Sequence, residues 1–119
     1  MLSVKKLLIK LLEALVVQTS GDWSYVKLGK LFVGMYSTTA TLAITSATGP
    51  IYQSGSVAIS FPETLTSQCT SVTIQTGDYT VWTSITGTSN SQVHYRAISA
   101  GSRASASYNI RAITIGKLQ

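Results

Sequence analysis

Hydrophobic and polar positions follow two different rhythms along this chain, and the change falls near residue 20. From Leu2 to Val17, the residues Val4, Leu8, Leu11 and Leu15 recur at spacings of four, three and four, the a/d seam of a heptad repeat. Leu7, Leu12 and Ala14 flank that seam and widen it, while Lys6, Lys10 and Glu13 fall on the opposite side. Ser3, followed by Lys rather than Glu, makes a poor N-cap, and Gly21-Asp22 ends the helical pattern. The spacing predicts a coiled-coil-like helix within residues 1–20 and a second unit over residues 21–119.

From Trp23 onward the period becomes two, the signature of half-buried strands. WSYVKL and LFVGMY are joined by Gly29-Lys30, and Gly at the first central position suits a type II′ hairpin turn. TLAITS sets Leu42 and Ile44 on one face, and SVAISF does the same for Val57, Ile59 and Phe61. CTSVTIQ turns Val72 and Ile74 inward and Ser71, Thr73 and Gln75 outward. YTVWTSI, QVHYRAI and SYNIRAITI bring the total to about eight strands. Turn signals at Thr48-Gly49-Pro50, Thr76-Gly77-Asp78, Gly87 to Asn90 and Ala100-Gly101-Ser102 separate them. Short strands at near-regular spacing predict a mainly β protein, an antiparallel β-sandwich or jelly-roll-like domain behind one short helix.

The opening segment, MLSVKKLLIKLLEALVV, has several readings. An export signal needs an unbroken apolar run and a small-residue cleavage site, but Lys10 and Glu13 interrupt this run and no such site follows. A spanning helix needs about 20 apolar residues, more than this segment offers, so no membrane insertion is expected. A membrane-surface helix and a helix folded back on its own β domain stay open. The preferred reading is a parallel bundle of three chains, with Val4, Leu8, Leu11 and Leu15 as the oligomerising seam. A stripe that wide needs more cover than a two-stranded seam gives. Sixteen residues span only about 24 Å, so the β domains must also associate or the helix must dock into a larger assembly.

Charge changes the picture less than its total suggests. The formal net charge is +5, yet residues 31–95 hold no Lys or Arg at all, only Glu63 and Asp78. The cations sit in the first 30 residues or from Arg96 onward, not in the cluster with interleaved aromatics that a phosphate-tracking groove needs, so no nucleic-acid partner is expected. Charged residues make up only 11% of the chain, and the β region leans on Ser and Thr for its polar surface. Such a surface suits crowded assemblies and sugar-facing proteins. The single cysteine, Cys69, excludes an intrachain disulfide and is read as a small buried thiol.

Little material for catalysis is present. His94 is the only histidine, so no multi-histidine metal site forms within one chain, and no metal or other cofactor is expected. His94 with Asp78 offers two members of a triad, but no G-x-S-x-G elbow accompanies them. Paired carboxylates for glycoside hydrolysis would have to be Glu63 and Asp78, and each sits beside a turn, where caps and solvated acids are common. No enzymatic activity is expected. Binding has better candidates. Tyr79, Val81 and Ile85 share one face of their strand, which leaves Trp82 with Thr80 and Ser84 on the other. Val93, Tyr95 and Ala97 likewise leave His94 and Arg96 among the polar side chains. A tryptophan on a polar face stacks on a sugar ring or is buried against a neighbouring subunit. Arg96 and Asp78 can supply charge-assisted hydrogen bonds to a saccharide, or serve as surface ion-pair partners. Trp23 and Tyr25 are expected to pack at the junction of helix and β domain.

The layout also resembles a known group. The leucine helix with SVKKLL, the W-x-Y-x-K strand of Trp23, Tyr25 and Lys27, the strand end at Phe61-Pro62 and the closing Ile113-Thr114-Ile115-Gly116-Lys117 resemble tailed-bacteriophage tail-tip and baseplate receptor-binding head domains. Leu28 and Leu118 stand where that group would have aromatic residues. The resemblance implies a virion protein assembled in the bacterial cytoplasm, a homotrimer attached to other virion proteins by its helix. Its β heads would bind host cell-wall or capsule saccharides. Two rivals remain at this stage. One is a purely structural head fibre, capsid decoration or baseplate connector. The other is a stand-alone bacterial carbohydrate-binding module, which would not need the helix.

Overall fold

The computed structural model describes residues 3–14 and 16–119, without the side chains of residues 11–14 and 69. Helix α1 covers Val4–Ala14. Of the seam, Val4 and Leu8 are described and exposed; Leu15 and the side chain of Leu11 lie outside the described residues, as does the thiol of Cys69. Behind the helix stands an antiparallel β-sandwich. Strands β1 (Gln18–Ser20), β2 (Trp23–Leu28), β3 (Leu31–Ile44), β7 (Ser71–Thr76) and β10 (Arg103–Lys117) form the first sheet in the order β1-β2-β3-β10-β7. The second contains β4 (Ser46–Thr48), β5 (Ile51–Gln53), β6 (Val57–Ser60), β8 (Val81–Thr88) and β9 (Gln92–Ser99).

LFVGMY and TLAITS belong to one continuous strand, β3, because β10 pairs with it from Leu31 to Ile44 across a single irregularity between Arg103 and Ala106. The short strands β1, β4 and β5 are additional to those the alternation predicts. Their loops explain them. Gly29-Lys30 links the Leu28–Leu31 pair with Gly29 at φ 58°, while Lys30 has no positive φ. That is the II′ pattern rather than I′, which needs positive φ at both central residues. Gly49-Pro50 closes the β4–β5 hairpin the same way, with Pro supplying the negative φ of the second position.

In the second sheet β9 is central. β8 runs along one side of it, and β5 and β6 share the other side end to end. Ser54 bridges that break. Its N–H donates to the carbonyl of Ala97 at 2.9 Å, and its hydroxyl accepts from the N–H of Ala97 at 2.9 Å. One buried serine therefore replaces the pairing that a continuous strand would have made. Between the sheets Phe32, Ile44, Val93 and Ile110 are fully enclosed, as the two-residue period requires, and Leu65 from the segment between β6 and β7 joins them.

Trp23 and Tyr25 depart from their expected position at the helix junction. Both point into the sandwich, where Trp23 packs edge-on against Phe32 and Phe61 and Tyr25 stacks on Phe32. The W-x-Y-x-K spacing puts all three side chains on one face of β2, and their polar tips reach the end of β6 and the segment just after it. The indole of Trp23 donates to the carbonyl of Ser60 at 2.8 Å, and Lys27 Nζ meets Glu63 Oε1 at 2.9 Å. Tyr25 donates to the same carboxylate oxygen at 3.5 Å. This pairing raises the pKa of Lys27, mainly through its hydrogen bond to Glu63.

Candidate functional site

The register of β8 and β9 decides which side chains meet. Val81, Thr83 and Ile85 stand opposite Ser99, Ala97 and Tyr95; of this row Val81, Ser99, Ala97 and Tyr95 are buried, while Ile85 is exposed. Trp82 stands opposite Ile98, and Ser84 opposite Arg96, on the outer face. His94 shares that face, opposite Gly87, beyond a bulge between Ile85 and Gly87. Three of the four candidates, Trp82, His94 and Arg96, are thus brought onto one outer surface. Trp82 is 47% exposed, and Ile98 beside it is buried although it belongs to the outer row. The indole therefore has a covered aliphatic neighbour and one open side. Arg96 reaches back to the carbonyl of Ser54 at 3.4 Å, which draws its guanidinium toward the β5–β6 break.

Asp78 lies apart from that surface, in the turn between β7 and β8. One carboxylate oxygen accepts from the backbone N–H of Thr80 at 2.9 Å and from the Thr80 hydroxyl at 2.6 Å. The other faces Arg103 at 3.4 Å, and Arg103 also donates to the Thr80 hydroxyl. The two hydrogen bonds from Thr80 are the main cause that holds the Asp78 carboxyl below its ordinary pKa. Its ion-pair partner is Arg103, from the start of β10, and not Arg96. Beside this network opens a polar cavity of about 310 Å³ lined by Asp78, Arg103, Ser107 and Asn109 among others.

Sequence reading missed Tyr79. Alternation grouped it with Val81 and Ile85, but the turn continues through Thr80, so Tyr79 precedes the strand and is 99% exposed. The signal was present in Gly77-Asp78, since Asp caps its own turn two residues on. Tyr79, Trp82 and the Asp78–Arg103 pair all lie toward the end of the sandwich away from α1. At that end β9 reaches Ser99 and β10 begins, whereas β1 and the helix join the opposite end. An exposed aromatic ring with hydroxyl, amide and ionic groups beside it can stack on and hydrogen-bond a polyol. Among the described residues no group of three or more His, Cys, Asp or Glu gathers to hold a metal, and no helix is long and apolar enough to cross a membrane.

Comparison with solved structures adds the fold's likeness. It is similar to part of an R1 pyocin fibre. The P. aeruginosa R1 pyocin fibre, in a structure of its C-terminal residues, aligns with a TM-score of 0.55 at 18% identity. The alignment covers 85% of this chain and 27% of the fibre chain, so this chain spans about a quarter of that structure's length. An N-truncated R1-type pyocin tail fibre aligns at 17% identity over 85% of this chain and 84% of its own, with a TM-score of 0.49. No family profile and no curated protein matches the sequence.

Proposed function

We propose that this chain is a fibre-like component of a bacteriophage-type tail, a homotrimer that attaches through α1 and binds host-surface saccharide at the far end of its β-sandwich. It acts by binding, with no enzymatic step. The observation that carries the reading is the likeness of 85% of the chain to a segment of the R1 pyocin fibre. The exposed apolar residues of α1 support the attachment half of it, since Val4, Leu7, Leu8 and Ile9 are exposed in the single chain. The exposed rings of Tyr79 and Trp82 support the recognition half. In this reading the outer surface of Trp82, His94 and Arg96 and the corner of Asp78 are the two places where a glycan would sit.

A purely structural virion part is the rival, and the ties of Asp78 to Thr80 and Arg103 favour it, because they occupy a group that would otherwise be offered to ligand. Retention on intact cells and on purified surface glycans, measured for the native chain and for Trp82→Ala and Tyr79→Ala, separates the two. Retention that falls at least tenfold in one variant supports the receptor-binding reading. Absence of retention on every host tested overturns it in favour of the structural rival.

A further inference from the structure

The exposed apolar residues of the sandwich are concentrated on the outer face of the first sheet, on the side turned away from the core. Val26, Val33 and Ile115 form one cross-strand row, and Met35 and Ile113 lie in the next. Met35, Ile113 and Ile115 are each more than half exposed, at 58%, 52% and 51%. β10 puts its isoleucines at 113 and 115 outward and gives the core positions between and beside them to Ala112, Thr114 and Gly116. A strand whose outer face met only water would alternate the other way. Further along the same face the rows turn polar, with Ser37 beside Arg111, Thr39 beside Asn109 and Thr41 beside Ser107.

The apolar rows occupy the end of the sheet where the helix joins. β1 runs antiparallel to β2 with Gln18 opposite Tyr25, so the chain entering β1 passes Val26. Val17 lines the same shallow groove of about 260 Å³ as Val26, Val33, Met35 and Ile113. We propose that these rows are the contact between copies of this chain, associated in parallel, with α1 and the sheet end beside it buried together. This rests on the reading that α1 brings copies together.

Two arguments favour a second copy over another occupant. A helix of 11 residues is about 16 Å long and roughly 10 Å wide, so one face presents on the order of 160 Å². A stable interface needs roughly 800 Å² from each partner. The β domain must supply the difference. Identical helices in parallel also set the same end of each β domain side by side, so the surface next to the helix is the one that meets its counterpart. On these rows no acidic side chain opposes the contact; the charges beside them are Lys117 at one margin, opposite Leu31, and Arg111 at the other, opposite Ser37 and lining a pocket with Met35 and Ile113.

Sedimentation equilibrium of the full chain tests the proposal, comparing the native protein with Ile113→Glu after circular dichroism has established that both are folded. Ile113 is half exposed and outward, so Glu is accommodated in the separate chain. The expected result is a native oligomer and a variant whose association is weakened at least tenfold. A variant that assembles like the native chain overturns the face and leaves helix-driven assembly standing; a monomeric native chain overturns both. Should Ile113→Glu fail to fold, Ile113→Cys in a Cys69→Ser background is treated with a short bismaleimide, with Thr39→Cys on the polar part of the same face as control. Linked chains from position 113 and not from 39 support the contact, and no linkage at 113 overturns it.

Discussion

Trp23 and Ser60 are tied across the sandwich, the indole N–H of β2 meeting the carbonyl at the end of β6 at 2.8 Å. The same ring packs on Phe32, Tyr36 and Phe61, so one residue both fills the core and fixes the offset of the two sheets. Trp23→Phe keeps an aromatic ring but leaves the Ser60 carbonyl without its donor and opens a small void. It is expected to destabilise the fold by roughly 2–3 kcal/mol, read as a lower urea midpoint with an unchanged slope.

Thr114 gives a prediction of the opposite sign. It is fully buried in β10, and its hydroxyl has no hydrogen-bond partner among the described residues. Valine has nearly the same shape and the same strand preference without the stranded polar atom. Thr114→Val should therefore stabilise the protein by about 1 kcal/mol, measured by thermal and denaturant unfolding.

Gly34 allows an aromatic cluster to close over the backbone. A Cβ there would stand 2.7 Å from Phe32 Cε1 and 3.0 Å from Trp23 Cζ3, nearer than ring atoms tolerate. Both rings are buried and have little room to retreat. Gly34→Ala is expected to cost roughly 1–3 kcal/mol, and near-ultraviolet dichroism should report the displaced rings.

Stability should fall at alkaline pH before the backbone is otherwise stressed. Burial pushes the Tyr95 phenol up from 10.0 to about 12. Its folded pKa is raised, so its contribution is whole below pH 10 and is lost as the pH climbs toward 12, where the unfolded chain ionises first. Lys27 has the same sign, its contribution fading as the pH rises through its raised pKa. Asp78 has the reverse sign: its contribution is present above the ordinary aspartate range and disappears as the pH falls through its lowered folded value. Urea midpoints across pH should show a steeper alkaline limb in the native protein than in Tyr95→Phe, and equal limbs would contradict the burial argument.

The two tryptophans should be distinguishable in solution. Trp23 is 4% exposed and Trp82 47%. Iodide should quench one part of the emission and spare the other, and Trp82→Phe should abolish the quenchable part while changing stability by less than about 0.5 kcal/mol. The same signal then serves as a direct probe for added saccharide.

How far the sequence carried the fold depends on where two-residue periodicity met a single-sided burial. Val93, Tyr95 and Ala97 were legible as one face because alternate residues are large and apolar, and the structure buries all three. β3 was not legible as one strand, because its middle, Ser37 to Ala40, is made of small and hydroxylated residues that pass for a loop until β10 is seen pairing with them. β4 and β5 were hidden for a related reason, since only the Gly49-Pro50 turn between them carries a strong local signal. At the candidate site, parity alone placed Trp82, His94 and Arg96 on common faces. The partner of Asp78 was out of reach, because Arg103 comes from 25 residues later, beside the irregularity that opens β10.

β3 and β10 run side by side from the helix end of the sandwich to its far tip, and this has a mechanical consequence. A pull applied between opposite ends of this strand pair acts along the strands, not across them. Their cross-strand hydrogen bonds are then strained together, in shear, and none can be peeled open ahead of the rest. The domain should resist stretching along its length far better than opening from its side.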